Sequence, residues 1–420
     1  MTAPVSRRDF MLTAGAAGGG LMLALTTDGV LHAQIPPGSS LGAVGAATGP
    51  GGSVAAVNLA WNAFISIAPD GAIRIYSARP DVGQGIKTSS AMIVAEELDA
   101  DWARVSVEQA PVDFNTYGSQ SVGGSRSTPN SWDPLRKVGA TARALLVSAA
   151  AQTWGVAESD CTTEKSVVTH WPSRRTLSYG ELAARAASLP VPDAGKLALK
   201  SRRDYRLLGK RIASVDNPKI VRGEPVYGMD FQLPGMAYAS VQRAPVFRAK
   251  VRGFNADDIK KLPGVRDAFV LDGQVVESGE VITGVVIVAN STWAAFSARR
   301  HLQIDWDTSG ASTDSSQAFD SQARTLASTR GKQELKSSGD VDAAFAAAAK
   351  TVEGFYTYPF ISHAPLEPQN ASAWYRDGAI EMWVPVQTVD RARPAVAQLL
   401  GLGLDKVTVH LPRIGGGFGR

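Results

Sequence analysis

Three glycine-rich stretches carry most of this chain's capacity for ligand chemistry: Asp81-Val82-Gly83-Gln84-Gly85, Ser121-Val122-Gly123-Gly124-Ser125, and Ile414-Gly415-Gly416-Gly417-Phe418-Gly419-Arg420. Glycine reaches positive φ and puts no Cβ between backbone and ligand, so successive amides at a strand end can cradle a phosphate or the edge of a heterocycle. Taken singly, each stretch is at least as well explained as a tight turn or a bulge. Gln84 adds a side-chain amide donor between two glycines. A fourth stretch, Tyr358 to Asn370, packs aromatics, three prolines, His363, Glu367 and Gln369 together. That density suits a rigid loop beside a site, although His363 could simply donate to a carbonyl and Glu367 cap a turn. Neither G-x-G-x-x-G nor the Walker pattern is matched, so nicotinamide, flavin and nucleoside triphosphate readings rank low.

Composition narrows the chemistry further. The single cysteine, Cys161, excludes an intrachain disulfide and a Cys-ligated iron-sulfur cluster on this chain. The five histidines, His32, His170, His301, His363 and His410, lack the spacing that brings two imidazoles to one metal, so no protein-ligated metal is expected. Lys and Arg total 43 against 39 Asp and Glu, a net charge of +4 with no run of five basic residues, so nucleic acid is not the expected partner.

The elements that must position these residues read as α+β and multi-domain. Around the Asp70-Gly71 turn, Phe64–Pro69 and Ala72–Ala78 alternate as strands. A helix is expected from Thr88 to Leu98, capped by Thr88 or Ser89, with Glu96 and Glu97 facing solvent. Further helices are expected over Pro134–Thr153 and after Ser178-Tyr179-Gly180-Glu181. The polar, proline-punctuated stretch 189–218 marks a boundary. Beyond it, Met236–Val251 reads as two strands, Gly284–Ala289 as a buried strand and Thr292–His301 as a helix. Thr308–Gly339 reads as a connector. Strands follow at Lys350–Thr357, Ala371–Tyr375, Ile380–Pro385 and Lys406–Leu411, with a helix over Arg391–Leu400.

The N-terminus, with Arg7-Arg8 before an Ala- and Gly-rich apolar stretch, resembles a twin-arginine export signal. Residues 1–34 are read as that signal and 35–56 as a linker, which places the protein in the periplasm or on the periplasmic face of the inner membrane.

Taken in order, DVGQGIKT (81–88), AEELDADWARVSVEQAP (95–111), GGSRST (123–128), LLGKR (207–211), DNPKIVRGEPVYGMDFQLPG (216–235), HAPLEPQNASA (363–373) and IGGGFGR (414–420) resemble the molybdenum-binding large subunits of the xanthine dehydrogenase and aldehyde oxidase family. The branch most similar in order is that of the isoquinoline 1-oxidoreductase beta subunits and membrane-associated aldehyde dehydrogenases. Val82 departs from the Met common before the GQG segment. The resemblance implies a first molybdopterin-binding α+β domain over 57–200 and a hammerhead-like aldehyde oxidase/xanthine dehydrogenase-type middle domain over 201–310. It also implies a connector over 311–345 and the start of a second molybdopterin-binding domain over 346–420, truncated at its C-terminus. It implies a molybdenum-molybdopterin cofactor in the cytosine dinucleotide form, whose metal is held by the dithiolene sulfurs of the pterin and not by Cys or His. Gly83, Gln84 and Gly85 would lie along the pterin, Gly124 and Ser125 on the pterin or its nucleotide, and Gly415, Gly416, Gly417, Phe418, Gly419 and Arg420 beside the metal. His363, Glu367 and Phe418 would border the substrate pocket. The implied reaction is oxidative hydroxylation of an N-heterocycle or an aldehyde, with electrons passed to a small [2Fe-2S] subunit and onward to a cytochrome c subunit. No flavin or cluster is expected on this chain. The family's catalytic glutamate falls beyond Arg420, so no residue here is assigned as the base. The competing reading is an exported, non-catalytic binding module that keeps the same fold, distinguished by whether molybdenum and pterin co-purify.

Overall fold

A computed structural model describes residues 61–276 and 279–418. The expected Arg7-Arg8 signal and 35–56 linker, with Gly419 and Arg420, lie outside the described residues. The chain divides into two compact units, one formed by the segments up to Phe231 and from Ala364 onward, the other by Gln232–His363. These limits differ from the boundaries expected after residues 200, 310 and 345. Hydrogen bonds tie 200–208 to the first long helix, Val226 and Met229 to Arg413 and Glu367, and 366–367 to the last glycine loop, which keeps these segments with the first unit.

The first unit opens with β1 (Ile65–Ile67) and β2 (Ile73–Ser77), antiparallel about the Asp70-Gly71 turn. Alternation along both strands sends Ile65, Ile67, Ile73 and Ile75 into the core, where each is at most 1% exposed. α1 (Ile86–Leu98) then crosses back to β3 (Val105–Gln109), which pairs parallel with β2. The glycine loop Asp81–Gly85 therefore fills the strand-to-helix corner of a β-α-β unit, where amides at a helix N-terminus face outward. α1 begins at Ile86 with Gly85, at φ 80°, as its N-cap, and not at Thr88 or Ser89. Asp81 takes over the capping from four residues upstream: its Oδ2 accepts from the Lys87 amide at 3.2 Å.

The expected solvent face of α1 is also corrected. Glu96 and Glu97 are 2% and 0% exposed. Glu96 accepts from the amides of Arg206, Leu207 and Leu208 and from Lys200 Nζ, while Glu97 accepts from Arg136 Nε and the Lys200 amide. The pair fastens the basic stretch that the sequence presented as a boundary. Burial alone would raise the Glu96 carboxyl, but the Leu208, Leu207 and Arg206 amides and the Lys200 ammonium outweigh it and hold the group below the usual carboxylate range.

α2 (Ser127–Trp154) packs along α1 and starts seven residues before the expected Pro134. Pro129 lies in its first turn, where a missing amide costs nothing, and Pro134 is accommodated within the helix. β4 (Cys161–Glu164), β5 (Val167–His170) and β6 (Arg175–Ser178) form an antiparallel meander leading into α3 (Tyr179–Ala187), which opens on a Ser178–Glu181 capping box.

In the second unit, β7 (Tyr238–Arg243), β8 (Lys250–Phe254), the short α4 (Ala256–Lys260) and β9 (Val265–Leu271) lead to β10 (Gly284–Ala289). β10 is the central strand, paired antiparallel with both β7 and β9, which fits its apolar run. α5 (Thr292–Arg299) and β11 (Ile304–Asp307) follow, and Ile259, Ala268, Ile287 and Ala298 make the small core. α6 (Ser316–Ala327) and α7 (Val341–Ala347) bury no residue. The strand expected over Lys350–Thr357 is absent, and residues 350–363 are exposed without regular structure. A strand needs a neighbour for its backbone, and none of the described strands offers one there.

The first unit is completed by β12 (Ser372–Arg376) and β13 (Ala379–Trp383), an antiparallel hairpin. α8 (Val389–Leu400) then leads to β14 (Val407–His410), parallel to β13. This is a second β-α-β unit, and β14 delivers the chain into the Ile414–Phe418 glycine loop.

Candidate cofactor-binding site

The three glycine loops converge. Ile414 donates its amide to Asp81 O at 2.9 Å and Gly417 to Val82 O at 3.1 Å, so the first and third loops run side by side. Val82, Val122 and Ile414, one from each loop, form a small buried cluster beneath them. The second loop is held by the second β-α-β unit: Val122 donates to Gln387 O at 2.9 Å, Gln387 Nε2 returns a bond to Val122 O at 3.2 Å, and Asp390 accepts from the Gln120 amide and from Ser119 Oγ. Arg79 donates to Ser121 O; burial lowers its guanidinium below the ordinary arginine value, against the Asp390 charge.

Each sequence-selected residue among those described has a definite place. Gly83 and Gly85 stand at φ 99° and 80°, conformations that glycine alone takes without strain. Gln84 folds back over its own loop, accepting from the Val82 amide at 2.7 Å and donating to Pro80 O at 3.1 Å, so its amide shapes the turn. Gly124 and Ser125 lie exposed at the entrance to α2, both at φ 57°. Gly416 is at φ 62°, Gly417 is buried, and Phe418 is 65% exposed. Glu367 is wholly engaged: Oε2 accepts from the Gly415 amide at 2.7 Å, and Oε1 from the Met229 amide at 3.0 Å and Asn370 Nδ2 at 2.9 Å. A Cβ on Gly415 would stand 2.8 Å from Glu367 Cβ, so this glycine is demanded by packing. His363 is exposed and belongs to the second unit, whereas Glu367 belongs to the first.

Sequence reasoning passed over the polar residues that build the loops. Asp81 Oδ1 accepts from the Gly83 amide at 2.9 Å, an Asx-turn that the Asp-x-Gly spacing signals. Arg413, Asp216 and Lys87 join it in a buried ion cluster, and Gln387 and Asp390 hold the second loop. These partners come from distant segments, and no local pattern announces them.

The arrangement fits a ligand that lies on backbone. A Cβ added at Gly123 or Gly85 would meet no atom within 4 Å, and Gly123 is not at positive φ. Nothing in the chain's own packing requires glycine at 123, and the open space beside it is where a ligand could approach the backbone. Among the described residues no group of three His, Cys, Asp or Glu is placed to hold a metal ion.

Residues 37–227 and 324–420 each match a family model described as a molybdopterin cofactor-binding domain, and all three glycine loops fall inside the two matched segments. The chain belongs to the molybdopterin cofactor-binding family. The beta subunit of isoquinoline 1-oxidoreductase of Brevundimonas diminuta is 32% identical over the whole chain and 56% of its own length. Membrane-bound aldehyde dehydrogenase [pyrroloquinoline-quinone] of Gluconacetobacter polyoxogenes is 29% identical over the whole chain and 52% of its own length. The large molybdopterin subunit of nicotinate dehydrogenase of Eubacterium barkeri is 25% identical over 52% of the chain and 56% of its own length. The chain thus spans about half the length of the first two relatives.

Proposed function

We propose that this molybdopterin-binding chain forms part of the large subunit of a molybdenum hydroxylase, with the cofactor lying across the three joined glycine loops. The observation that carries the reading is the convergence of those loops on Val82, Val122 and Ile414, with open space beside Gly85 and Gly123. Gly83 to Gly85 would follow the pterin, Gly124 and Ser125 its cytosine dinucleotide extension, and Gly415 to Arg420 the side nearest the metal. When bound, the group supplies the two-electron oxidation that accompanies hydroxylation of an electron-poor carbon. The chain's own part is to bind and orient, since the loop carboxylates of Asp81, Asp216 and Glu367 are committed to ion pairs or backbone amides. None of the three is placed to take a substrate proton. The names of the relatives support an N-heterocycle or an aldehyde as substrate, with Phe418 as a proposed contact. One cysteine leaves the electron-carrying clusters to a partner, proposed as a [2Fe-2S] subunit that passes electrons on to a cytochrome c. Export by the Arg7-Arg8 signal is part of the same proposal and is checked by cell fractionation of an Arg7→Lys, Arg8→Lys variant.

The deciding experiment is molybdenum and pterin analysis of the chain expressed with the genes beside its own. Stoichiometric molybdenum, with cytidine released on hydrolysis, is the expected result. A folded chain without molybdenum or pterin would overturn the reading. The committed carboxylates favour a second reading, a cofactor-binding module without turnover, which predicts loading in the same assay but no oxidation of isoquinoline, nicotinate or aldehydes.

A further inference from the structure

The first and third glycine loops touch through two backbone hydrogen bonds and one small apolar cluster, which is little to fix a spacing. Beside them lies a stronger connection. Arg413 Nη1 is 3.0 Å from Asp81 Oδ1 and 3.1 Å from Asp216 Oδ2, and Lys87 Nζ is 2.8 Å from Asp216 Oδ1. Asp81 and Asp216 are buried, and the side chains of Lys87 and Arg413 retain only 16% and 13% of their exposure. Two carboxylates and two cations make a neutral group, the condition under which buried charges persist.

The position of each member gives the cluster its reach. Asp81 also holds the Gly83 amide and caps α1 through the Lys87 amide, so whatever fixes Asp81 fixes the first loop. Arg413 lies two residues before Gly415, and its amide donates to Val226 O at 3.0 Å. Asp216 stands on neither loop, and Thr88 Oγ1 accepts from the neighbouring Val215 amide at 3.1 Å. One guanidinium nitrogen thus joins the first loop to a segment outside both, from the residue that immediately precedes the third.

We propose that Arg413 is a positioning residue: by bridging Asp81 and Asp216 it sets the separation of the Asp81–Gly85 and Gly415–Phe418 loops, and with it the chain's capacity to hold the cofactor. This rests on the cofactor reading for its consequence but not for its geometry.

The test uses the full chain, expressed with its neighbouring genes and also in cofactor-free form, as parent, Arg413→Gln, Arg413→Lys and the double variant Arg413→Gln/Asp216→Asn. Arg413→Gln leaves two buried carboxylates facing one cation, whereas the double variant restores neutrality without restoring the bridge. In Arg413→Gln, amide exchange in peptides spanning 81–87 and 414–418 of the cofactor-free chain is expected to rise about tenfold, because local opening there no longer breaks the ion pairs. Molybdenum per chain is expected to fall by about tenfold, the scale on which outer supports of a bound metal act. The double variant is expected to regain the parent's melting temperature while loop exchange and molybdenum stay at the Arg413→Gln level, and Arg413→Lys to recover part of both. Recovery of loop protection and molybdenum in the double variant would overturn the proposal, since charge balance alone would then suffice; so would parent-like loop exchange in Arg413→Gln. A parent chain free of molybdenum would defeat the cofactor reading, and the exchange comparison would still decide the positioning role.

Discussion

At the scale of single residues, the buried acids of α1 give the sharpest expectations. Glu96 is ionised among three backbone amides and an ammonium, and its folded pKa lies below its unfolded one. The stability it contributes is therefore fully present above the unfolded carboxylate value of about 4.3 and is lost as pH falls through the lower folded value. Glu96→Gln is expected to flatten that acid limb in a series of melting temperatures against pH. At neutral pH, Glu96→Ala is expected to cost about 3–5 kcal/mol in urea unfolding, the penalty for leaving a buried cation and amides without their acceptor. An unchanged acid limb in Glu96→Gln would show that other carboxylates govern acid unfolding. Glu367→Gln tests a different duty. One of the Gly415 and Met229 amides would then face an NH2 group, so a loss of about 1–3 kcal/mol is expected, with faster amide exchange at Gly415. At this scale the sequence was half legible. The glycines at 83, 85 and 416 declared themselves because positive φ is a backbone property tied to residue type, and Asp81 carried an Asx-turn spacing. Glu96 and Glu97 did not, because an acid next to apolar helix positions looks solvated until distant amides and Lys200 arrive to satisfy it.

At the scale of elements, α1 and α2 approach closely at Gly139. A Cβ there would stand 2.4 Å from Val94 O and 2.9 Å from Glu97 Cβ, and backbone cannot retreat as a flexible side chain would. Gly139→Ala is expected to destabilise by about 1–3 kcal/mol through overpacking, despite alanine's better helix propensity, as measured by denaturant unfolding. A gain in stability would mean the two helices can part without loss. The Ser178–Glu181 capping box offers a milder comparison, with Ser178→Ala expected to cost about 1 kcal/mol. Elements whose pattern is local were readable in advance. The β1–β2 hairpin followed from alternation about Asp70-Gly71, α3 from its capping box, and β10 from an unbroken apolar run. The α2 start was misjudged because Pro134 reads as a first-turn residue when the preceding polar turns show no apolar face. The strand expected over 350–357 has the right residue types, yet strand formation is decided by a neighbour and not by the segment alone.

At the scale of the whole chain, two polar stretches that look alike in sequence behave differently in the fold. Residues 189–218 and 308–339 are both rich in charged and small polar residues, and by composition both suit connections between domains. The first is fastened: Glu96 and Glu97 accept from the amides of Lys200, Arg206, Leu207 and Leu208, and Lys200 Nζ pairs with Glu96 and Asp99. The second is not, since residues 313–364 are exposed throughout and 328–340 carry no helix or strand. A protease needs an extended stretch that can leave the surface, so backbone anchoring, and not side-chain exposure, decides where it cuts. Arg203 keeps an 88% exposed side chain on an anchored segment, whereas Arg330, Lys332 and Lys336 lie on an unanchored one. Limited trypsin digestion with mass spectrometry of the first fragments is therefore expected to cut at Arg330, Lys332 or Lys336 before Arg202, Arg203 or Arg206. Glu96→Ala is expected to open the second group of sites without changing the rate at the first. Early cleavage of the parent chain at Arg202–Arg206 would mean that the buried carboxylates do not hold that segment, and with it the account of why 200–208 stays with the first unit would fall.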